Sequence, residues 1–286
     1  MSPAAAIAAA GLFIFFWASG FVSAKYGFPY AEPFTFLSLR FVLAVAILLP
    51  LCLAWRVRWP RGLAELGHVV IAGMLVQSIY LIGVFQGIWL GLSTGVMALI
   101  VGLQPLITGA LAAPALGERV AARQWCGLGL GFGGLGLVVA EKVDFAGGAG
   151  WGAGFAVLGL VGITIGTLYQ KRFCAGADIR SSVTIHNAVS AMLLIPLALG
   201  FETMRVDWTG EFLFALLWST IGLSVIAIAL YYWLVRRGAA ARVTSLIYLS
   251  PPTTALMGWA MFQETMSPVA IAGMVVAVAG VALANR

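Results

Sequence analysis

Charged side chains are scarce in this sequence: Asp, Glu, Lys and Arg together make up 9% of its 286 residues. A soluble domain carries about 25% charged residues, because polar side chains have to cover its water-facing surface. Hydrophobic residues instead reach 62%, and the mean hydropathy is +1.03. The composition therefore excludes a soluble protein and indicates an integral membrane protein.

Residues that hold metals or perform nucleophilic catalysis are also few. The sequence has only two His, and its three cysteines, Cys52, Cys126 and Cys174, lie far apart, each in or next to an apolar segment. This pattern favours cysteines that pack as small buried hydrophobic residues. No Ser–His–Asp or Cys–His set can be assembled at the membrane interface, so we expect no metal, no cofactor, no catalytic residues and no enzyme. The net charge of +6 comes without a basic cluster, so no nucleic-acid partner is expected.

Long apolar runs occupy most of the chain. A hydrocarbon core about 30 Å thick is crossed by roughly 20 apolar residues in a helix. The first run has no basic region before it and no suitable cleavage site after it, so we interpret it as a retained helix and not as a signal peptide. The expected fold is an all-α integral membrane protein with ten transmembrane helices, at residues 4–24, 32–54, 66–88, 92–115, 121–140, 150–170, 181–201, 211–234, 240–262 and 268–285.

The distribution of Lys and Arg between the short linkers predicts the orientation. With the N-terminus inside, twelve of the sixteen Lys and Arg fall on the cytoplasmic side, as in Arg56-Val57-Arg58 and Arg236-Arg237. Positive charge is enriched in cytoplasmic loops of membrane proteins. We therefore predict that both termini are cytoplasmic. The opposite side holds only Lys25, Lys142 and Arg205.

The chain repeats itself at an offset of 146 residues, and residues 103–139 align without gaps on residues 249–285. Matches of the common Gly and Leu would be expected by chance, but Pro, Glu and Lys are rarer. The matched rare residues include Lys25 with Lys171, Pro105 with Pro251, and Glu118 with Glu264.

Each copy contains five predicted helices, an odd number, so the second copy enters the membrane from the opposite side. We predict two inverted repeats, residues 1–140 and 147–286, around a central cavity. This architecture is typical of transporters that expose a midplane site to each side in turn. The alternative is a duplicated membrane scaffold without a transport role.

Two passages carry related motifs at matched positions of the two copies. The first is Leu103-Gln104-Pro105-Leu106-Ile107-Thr108 followed by Gly117-Glu118-Arg119, and the second is Leu249-Ser250-Pro251-Pro252-Thr253-Thr254 followed by Gln263-Glu264-Thr265. With Trp17-Ala18-Ser19-Gly20 and the Pro33 to Arg40-Phe41 spacing, they resemble the drug/metabolite transporter superfamily in its EamA-like branch. The second copy departs from it with Gln263 in place of the usual Gly.

This resemblance covers essentially the whole chain and is greatest to the bacterial YddG-type exporters of aromatic and other amino acids. It implies ten helices, a central cavity, a place in the bacterial inner membrane with both termini cytoplasmic, and export of amino acids or related metabolites.

Polar side chains inside predicted spans are the candidate binding residues, because they are expensive in hydrocarbon. Arg40 lies eight residues past Glu32, about 12 Å deep at 1.5 Å per residue. A guanidinium binds a carboxylate through two parallel hydrogen bonds, so Arg40 is a candidate to hold an amino acid's carboxylate. Its repeat mate is His186. The alternatives are that Arg40 snorkels or bonds helix-end carbonyls, and that His186 with Asn187 bonds a neighbouring helix.

Aromatic, amide and hydroxyl groups complete the predicted substrate site. Trp17 is in mid-span, and Gln77 and Tyr80 are expected on one face of the third span at i and i+3. Tyr248 precedes Ser250 in the ninth span. The alternative is that the aromatic rings serve in packing or in the interfacial belt. The predicted substrate-binding residues are Trp17, Arg40, Gln77, Tyr80, His186, Tyr248 and Ser250.

Proline and glycine predict where the helices break and where they approach closely. Pro105 and Pro251 remove a backbone donor in mid-span, where unwinding is tolerated beside a cavity, so both are predicted gating positions. Small residues recur in the fifth and tenth spans and favour close helix packing within the chain, with a dimer face as the alternative. They are Gly127, Gly131, Gly134, Gly273, Ala277 and Gly280.

All ten carboxylates fall in linkers or at span ends. Proton-coupled carriers commonly use buried Asp or Glu, so we expect facilitated diffusion or another form of coupling. The leading function is export of aromatic and other neutral amino acids by alternating access, by a monomer or weak homodimer in the lipid bilayer. The alternatives are an exporter of another small metabolite or drug and, in a different class, a membrane enzyme acting on lipid or prenyl substrates.

Overall fold

The structure is a computed structural model and describes residues 3–104, 106–108, 111, 122–142, 149–227, 230 and 249–284. The secondary structure in these ranges is helical. They contain no strand, only an isolated antiparallel bridge between Ala31 and Val206. The expected all-α fold is confirmed over these ranges.

The helices lie in the apolar runs of the sequence. Each of the ten predicted spans overlaps at least one helix of the structure. Two π-helical segments interrupt the series: the first π segment (Met74–Ile79) joins α3 to α4, and the second π segment (Trp218–Ala227) follows α9. The α-helices are α1 (Pro3–Gly27), α2 (Pro33–Ala54), α3 (Leu63–Gly73), α4 (Tyr80–Trp89), α5 (Thr94–Gly102), α6 (Ala122–Lys142), α7 (Ala149–Phe173), α8 (Ile179–Phe201), α9 (Gly210–Leu217), α10 (Ser250–Phe262) and α11 (Pro268–Ala284).

Four helical stretches are long and apolar enough to cross a bilayer by length and composition: Pro33–Ala54, Leu63–Trp89, Gly150–Phe173 and Ile179–Phe201. Shorter apolar helices lie at Thr94–Thr108, Gly210–Leu223 and Pro268–Gly280. The described residues therefore form a bundle of apolar helices suited to a membrane.

Helix starts follow from local side-chain chemistry. Pro33 and Pro268 open α2 and α11, where a missing N–H leaves no intrahelical bond unmade. Ser93, Asp178 and Thr209 precede α5, α8 and α9, and each accepts a hydrogen bond from a backbone N–H of the first turn. The short polar linkers thus begin new helices directly.

The most extensive helix contacts join the first half of the chain to the second. α2 packs on α8, α4 on α7, α5 on α10 and α6 on α11. Contacts within the first half, such as those of α1 with α4 and of α2 with α4, are much smaller. The two halves are therefore interleaved in one bundle.

α6 and α11 are repeat mates and approach each other at glycine. A Cβ placed on Gly134 would lie 2.5 Å from the backbone N of Ala277, and one on Gly280 would lie 2.7 Å from the carbonyl O of Gly127 and the N of Gly131. Residue numbers rise along one helix as they fall along the other, so the two run antiparallel. The predicted packing of these glycine faces within the chain is confirmed, because only small residues permit such an approach.

α2 and α8 are also repeat mates, and they are tied together antiparallel at both ends. Glu202, just after α8, accepts hydrogen bonds from the backbone N of Phe34 and from the N and Oγ1 of Thr35, each at 2.7 Å. At the opposite end, the Sγ of Cys52 lies 3.3 Å from the Oγ1 of Thr184. The contacts at the two ends hold the pair in one register.

The cysteines differ in burial. Cys52 is buried, as predicted, and Cys174 is partly buried. The expectation of a buried residue is wrong for Cys126, which is exposed on α6. The packed face of α6 is set by its glycines, and Cys126 lies beside that face.

The two π segments lie at equivalent positions of the repeat, a feature that the sequence did not predict. Residues 74–79 correspond at the 146-residue offset to 220–225, inside Trp218–Ala227. The first π segment packs on α7 and α8, and the second packs on α1 and α2. π-helical turns are rare and concentrate at functional sites, so these segments direct attention to the side chains around them.

Candidate functional site

Arg40 is buried on α2 with only 6% of its surface exposed. Its Nε has no hydrogen-bond partner, and none of the carboxylates whose side chains the structure describes lies within ion-pair distance of it. The guanidinium carbon is 5.9 Å from the centroid of the Phe41 ring. A buried cation that no described carboxylate balances is expensive, so Arg40 is the leading candidate to contact a charged ligand.

Tyr80 supplies an aromatic ring and a hydroxyl near this guanidinium. It is the first residue of α4, directly after the first π segment, and it is half-buried. Its side chain is close enough to that of Arg40 for the two groups to interact electrostatically. The structure therefore brings together two of the predicted site residues from different helices.

Gln77 lies in the first π segment and bonds α8. Its Nε2 donates to the Oδ1 of Asn187 on α8 at 2.9 Å, and the Nδ2 of Asn187 donates to the carbonyl O of Val183 at 2.8 Å. The expectation that Gln77 and Tyr80 share a face assumed an α-helix and stays a prediction, because a π turn is wider than an α turn.

His186 packs against α3 at a glycine. A Cβ on Gly73 would lie 2.7 Å from the Cδ2 of His186. One turn further along α8, the Oγ atoms of Ser78 and Ser190 are 2.8 Å apart. His186 thus lies where α8 contacts α3.

Ser250 and Trp17 lie on helices that contact each other. Ser250 is the first residue of α10 and is buried, and its Oγ has no hydrogen-bond partner. One turn later the Oγ1 of Thr254 donates to the carbonyl O of Ala18 on α1 at 3.3 Å. Trp17, next to Ala18, is half-buried, with its ring 5.9 Å from that of Phe13. A hydroxyl and an indole are thus carried by neighbouring helices.

Pro251 stands in the first turn of α10, where its missing N–H breaks no hydrogen bond. Leu249, the residue before α10, has φ −82° and ψ −7°. Its repeat mate Leu103 ends α5 with nearly the same angles, φ −76° and ψ −12°. The turn therefore recurs at one position of both copies. Pro105 and Tyr248 lie outside the described residues.

The carboxylate of Glu264 forms a cluster that the sequence analysis missed. Its Oε1 accepts from the Nζ of Lys25 at 2.6 Å, and its Oε2 accepts from the Oγ1 and N of Thr94 at 2.8 and 3.1 Å. The cluster ties the α10–α11 linker to α1 and α5.

Two apolar clefts lie elsewhere among the described helices. One of about 570 Å³ is lined by α5, α6 and α7, and one of about 730 Å³ is lined by α10, α11 and the linker between them. Neither is lined by a predicted site residue. The central cavity therefore stays a prediction.

A bundle of apolar helices built from two related, interleaved halves is an architecture that many membrane transporters share. The model of the EamA-like transporter family matches the chain twice, at residues 4–140 and 150–286. The chain belongs to this family of membrane transporters.

Several proteins that are similar to the chain are named as transporters. It is 24% identical over 281 residues to the uncharacterized transporter YvbV of Bacillus subtilis, covering 95% of this chain and 88% of that one. It is 23% identical over 253 residues to the uncharacterized inner membrane transporter YedA of Escherichia coli, covering 88% and 81%. A WAT1-related chloroplastic protein of Arabidopsis thaliana is 23% identical over 280 residues, covering 95% and 67%.

The fold matches a solved crystal structure with a TM-score of 0.65 over 99% of this chain and 98% of the other. The two sequences are 19% identical. The likeness therefore concerns the fold alone.

Proposed function

We propose that this chain exports amino acids, aromatic and other neutral ones, by alternating access across the bacterial inner membrane. The observation that carries the proposal is the buried guanidinium of Arg40, whose Nε is unpartnered and whose carbon lies 5.9 Å from the centroid of the Phe41 ring. A guanidinium can hold a carboxylate through two parallel hydrogen bonds, and aromatic side chains suit a flat apolar body.

Tyr80 and Ser250 are proposed as further contacts, since each carries a hydroxyl and the Oγ of Ser250 is buried and unpartnered. Trp17 is proposed as an apolar wall of the site. Gln77 and His186 are proposed as residues that support the site, because Gln77 bonds Asn187 and His186 packs against Gly73. Tyr248 is proposed as a substrate contact on the basis of the sequence alone. Pro105 and Pro251 are proposed as gating positions.

The proposed architecture has ten transmembrane helices in two inverted repeats, residues 1–140 and 147–286. Antiparallel packing of the repeat mates α2 with α8 and α6 with α11 supports it, as do the two matches to the family model. The distribution of Lys and Arg supports cytoplasmic termini. The proposed partners are the amino-acid substrate and the lipid bilayer, and the proposed assembly is a monomer or weak homodimer.

Facilitated diffusion is the proposed mode of transport. Its support is that Glu32, Glu202 and Glu264 are engaged at helix ends, by Thr203, by the start of α2, and by Lys25 with Thr94. Uptake into proteoliposomes should be unaffected by an imposed pH gradient. Clear acceleration by the gradient would show proton coupling.

The central experiment replaces Arg40 by Gln and by Lys and measures amino-acid uptake in proteoliposomes. Removing one partner of a buried charge-assisted pair costs about 2–5 kcal/mol, so R40Q should weaken apparent affinity by roughly a hundredfold. R40K keeps the charge but loses the two-pronged geometry, and it should fall between R40Q and the wild type.

Arg205→Gln is the matched control, because Arg205 is exposed in a linker. It should transport like the wild type. Normal affinity in R40Q at normal yield would assign Arg40 a structural role and refute the proposed contact. If none of the common amino acids is transported, the result would favour the alternative of another small metabolite.

A further inference from the structure

We infer that the site selects a carboxylate on an apolar body, that is, an organic monocarboxylate anion, and that the α-ammonium of an amino acid contributes no required contact. This rests on the proposed function, since it concerns the same site around Arg40. It extends the substrate class from zwitterionic amino acids to their hydroxy-acid and des-amino counterparts.

The charge of the site is the first step. Arg40 is 6% exposed, its Nε is unpartnered, and the phenol of Tyr80 is near enough to interact electrostatically with it. A buried cation is stabilised by an anion that desolvates with it. A solute with one negative charge neutralises the guanidinium, whereas a zwitterion brings a second positive charge with it.

The acidic side chains are the second step. Those whose surroundings are described lie at helix ends and in linkers, where they are bonded or exposed. Glu202 caps α2, Glu32 accepts from the N and Oγ1 of Thr203 at 2.7 Å, and Glu264 bonds Lys25 and Thr94. The others in this group are Glu65, bonded to the N of Arg61; Asp178, paired with Arg180; and the exposed Asp207 and Glu211.

The remaining acidic residues, Glu118, Glu141 and Asp144, fall by sequence outside the centres of the predicted spans. A carboxylate is the group that best balances an ammonium in a low-dielectric site. The acidic side chains that the structure describes are thus bonded at helix ends or exposed, and none of them is paired with Arg40.

The polar atoms that are buried and unpartnered point the same way. Besides the Nε of Arg40 they include the Oγ of Ser38 on α2 and the Oγ of Ser250 on α10. Hydroxyl groups donate to carboxylate oxygens without adding charge. The unpartnered polar atoms named here are thus one cationic donor and two neutral hydroxyls, and none of them is a carboxylate oxygen.

The α-ammonium of a bound amino acid would lie within a few ångströms of its own carboxylate and therefore near Arg40. Repulsion between like charges at that range is strong in a partly buried site. We expect replacement of the ammonium by a hydroxyl to improve apparent affinity about tenfold.

Three solutes with the same benzyl group separate the contributions of the two charged groups. L-phenylalanine carries both, L-phenyllactate keeps the carboxylate and replaces the ammonium by a hydroxyl, and L-phenylalaninamide keeps the ammonium and lacks the carboxylate. Each is tested as a competitor of labelled L-phenylalanine in counterflow. Each is also tested for thermal stabilisation of the detergent-solubilised protein, which reports binding without transport.

Phenyllactate should compete about tenfold better than phenylalanine and raise the melting temperature further at equal concentration, whereas phenylalaninamide should do neither. In R40Q the advantage of phenyllactate should disappear. Labelled phenyllactate should be carried by the wild type and not by R40Q.

The failure of the inference is distinct from the failure of the proposed function. If phenylalanine is carried with dependence on Arg40 while phenyllactate neither competes nor stabilises, the ammonium is required and the inference is overturned, with amino-acid export intact. If no common amino acid is carried but phenyllactate is carried with dependence on Arg40, export of amino acids is refuted and the inference stands. If Arg40 affects neither solute, the site is elsewhere and both are overturned.

Discussion

The crossing of α6 and α11 allows a sharp test, because two adjacent glycines have opposite surroundings. A Cβ added at Gly134 would overlap the backbone of α11, lying 2.5 Å from the N of Ala277 and 2.9 Å from its Cβ. A Cβ added at Gly133 would have no heavy atom within 4 Å. Gly134→Ala and Gly133→Ala therefore make the same chemical change one residue apart.

The expected magnitude follows from two opposing effects. Replacing Gly by Ala inside a helix stabilises it by about 0.5–1 kcal/mol, because the unfolded chain loses freedom. Overpacking a close contact costs about 1–3 kcal/mol, and the cost is high where the neighbour is backbone that cannot rotate away. G133A should thus equal or slightly exceed the wild type in stability, and G134A should fall about 1–3 kcal/mol below G133A.

Reversible unfolding in mixed micelles, followed by circular dichroism, measures the difference between the two variants. Gly280→Ala is the repeat counterpart, where the added Cβ would lie 2.7 Å from the Gly127 carbonyl. G280A should lose about as much stability as G134A. Equal stability of G134A and G133A would refute the close packing of α6 on α11, and a loss in G133A alone would place the packed face on the other side of α6.

Two further predictions concern charged groups at helix ends. Glu264→Gln should lower stability by about 2 kcal/mol relative to the control Glu211→Gln, because Glu264 is 9% exposed and accepts from Lys25 and Thr94. Lys25→Met should lower stability by less than E264Q does, since the Lys25 side chain is 35% exposed. If the melting temperature of E264Q is no lower than that of E211Q, Glu264 does not form this cluster. The Arg180 guanidinium lowers the pKa of Asp178 from 3.8 to about 2, so its contribution to stability is complete above about pH 4 and is lost as the pH falls towards 2. Asp178→Asn should remove that part of the acid dependence of the melting temperature, and an unchanged acid limb would refute the pairing.

The all-helical fold and the membrane class could be predicted from the sequence, because a lipid environment requires long hydrophobic runs and few charged residues. The glycine face of α6 and α11 was also predictable, since small residues recur at helical spacing in both copies. The π segment that carries Gln77 was not predictable, because a π turn leaves no mark in the pattern of apolar residues.

The candidate site was predictable only in part. Arg40 was found because a charge deep in an apolar run is costly and therefore conspicuous. Glu264 was missed because a carboxylate at a span end looks like a solvated linker residue. Its burial depends on Lys25 and Thr94, which lie far away in the chain and meet it only in the packed bundle.

The interleaving of the two halves has a consequence for biosynthesis. During translation the first half is inserted while the partners of α2, α4 and α6 have not yet been made. Two surfaces of the first half therefore have no packing partner until the second half is inserted. They are the face of α6 that carries Gly134 and the start of α2 that Glu202 caps. The chain assembles late and as a unit, so two separately expressed halves should be unstable alone and should recover transport only when made together in one membrane.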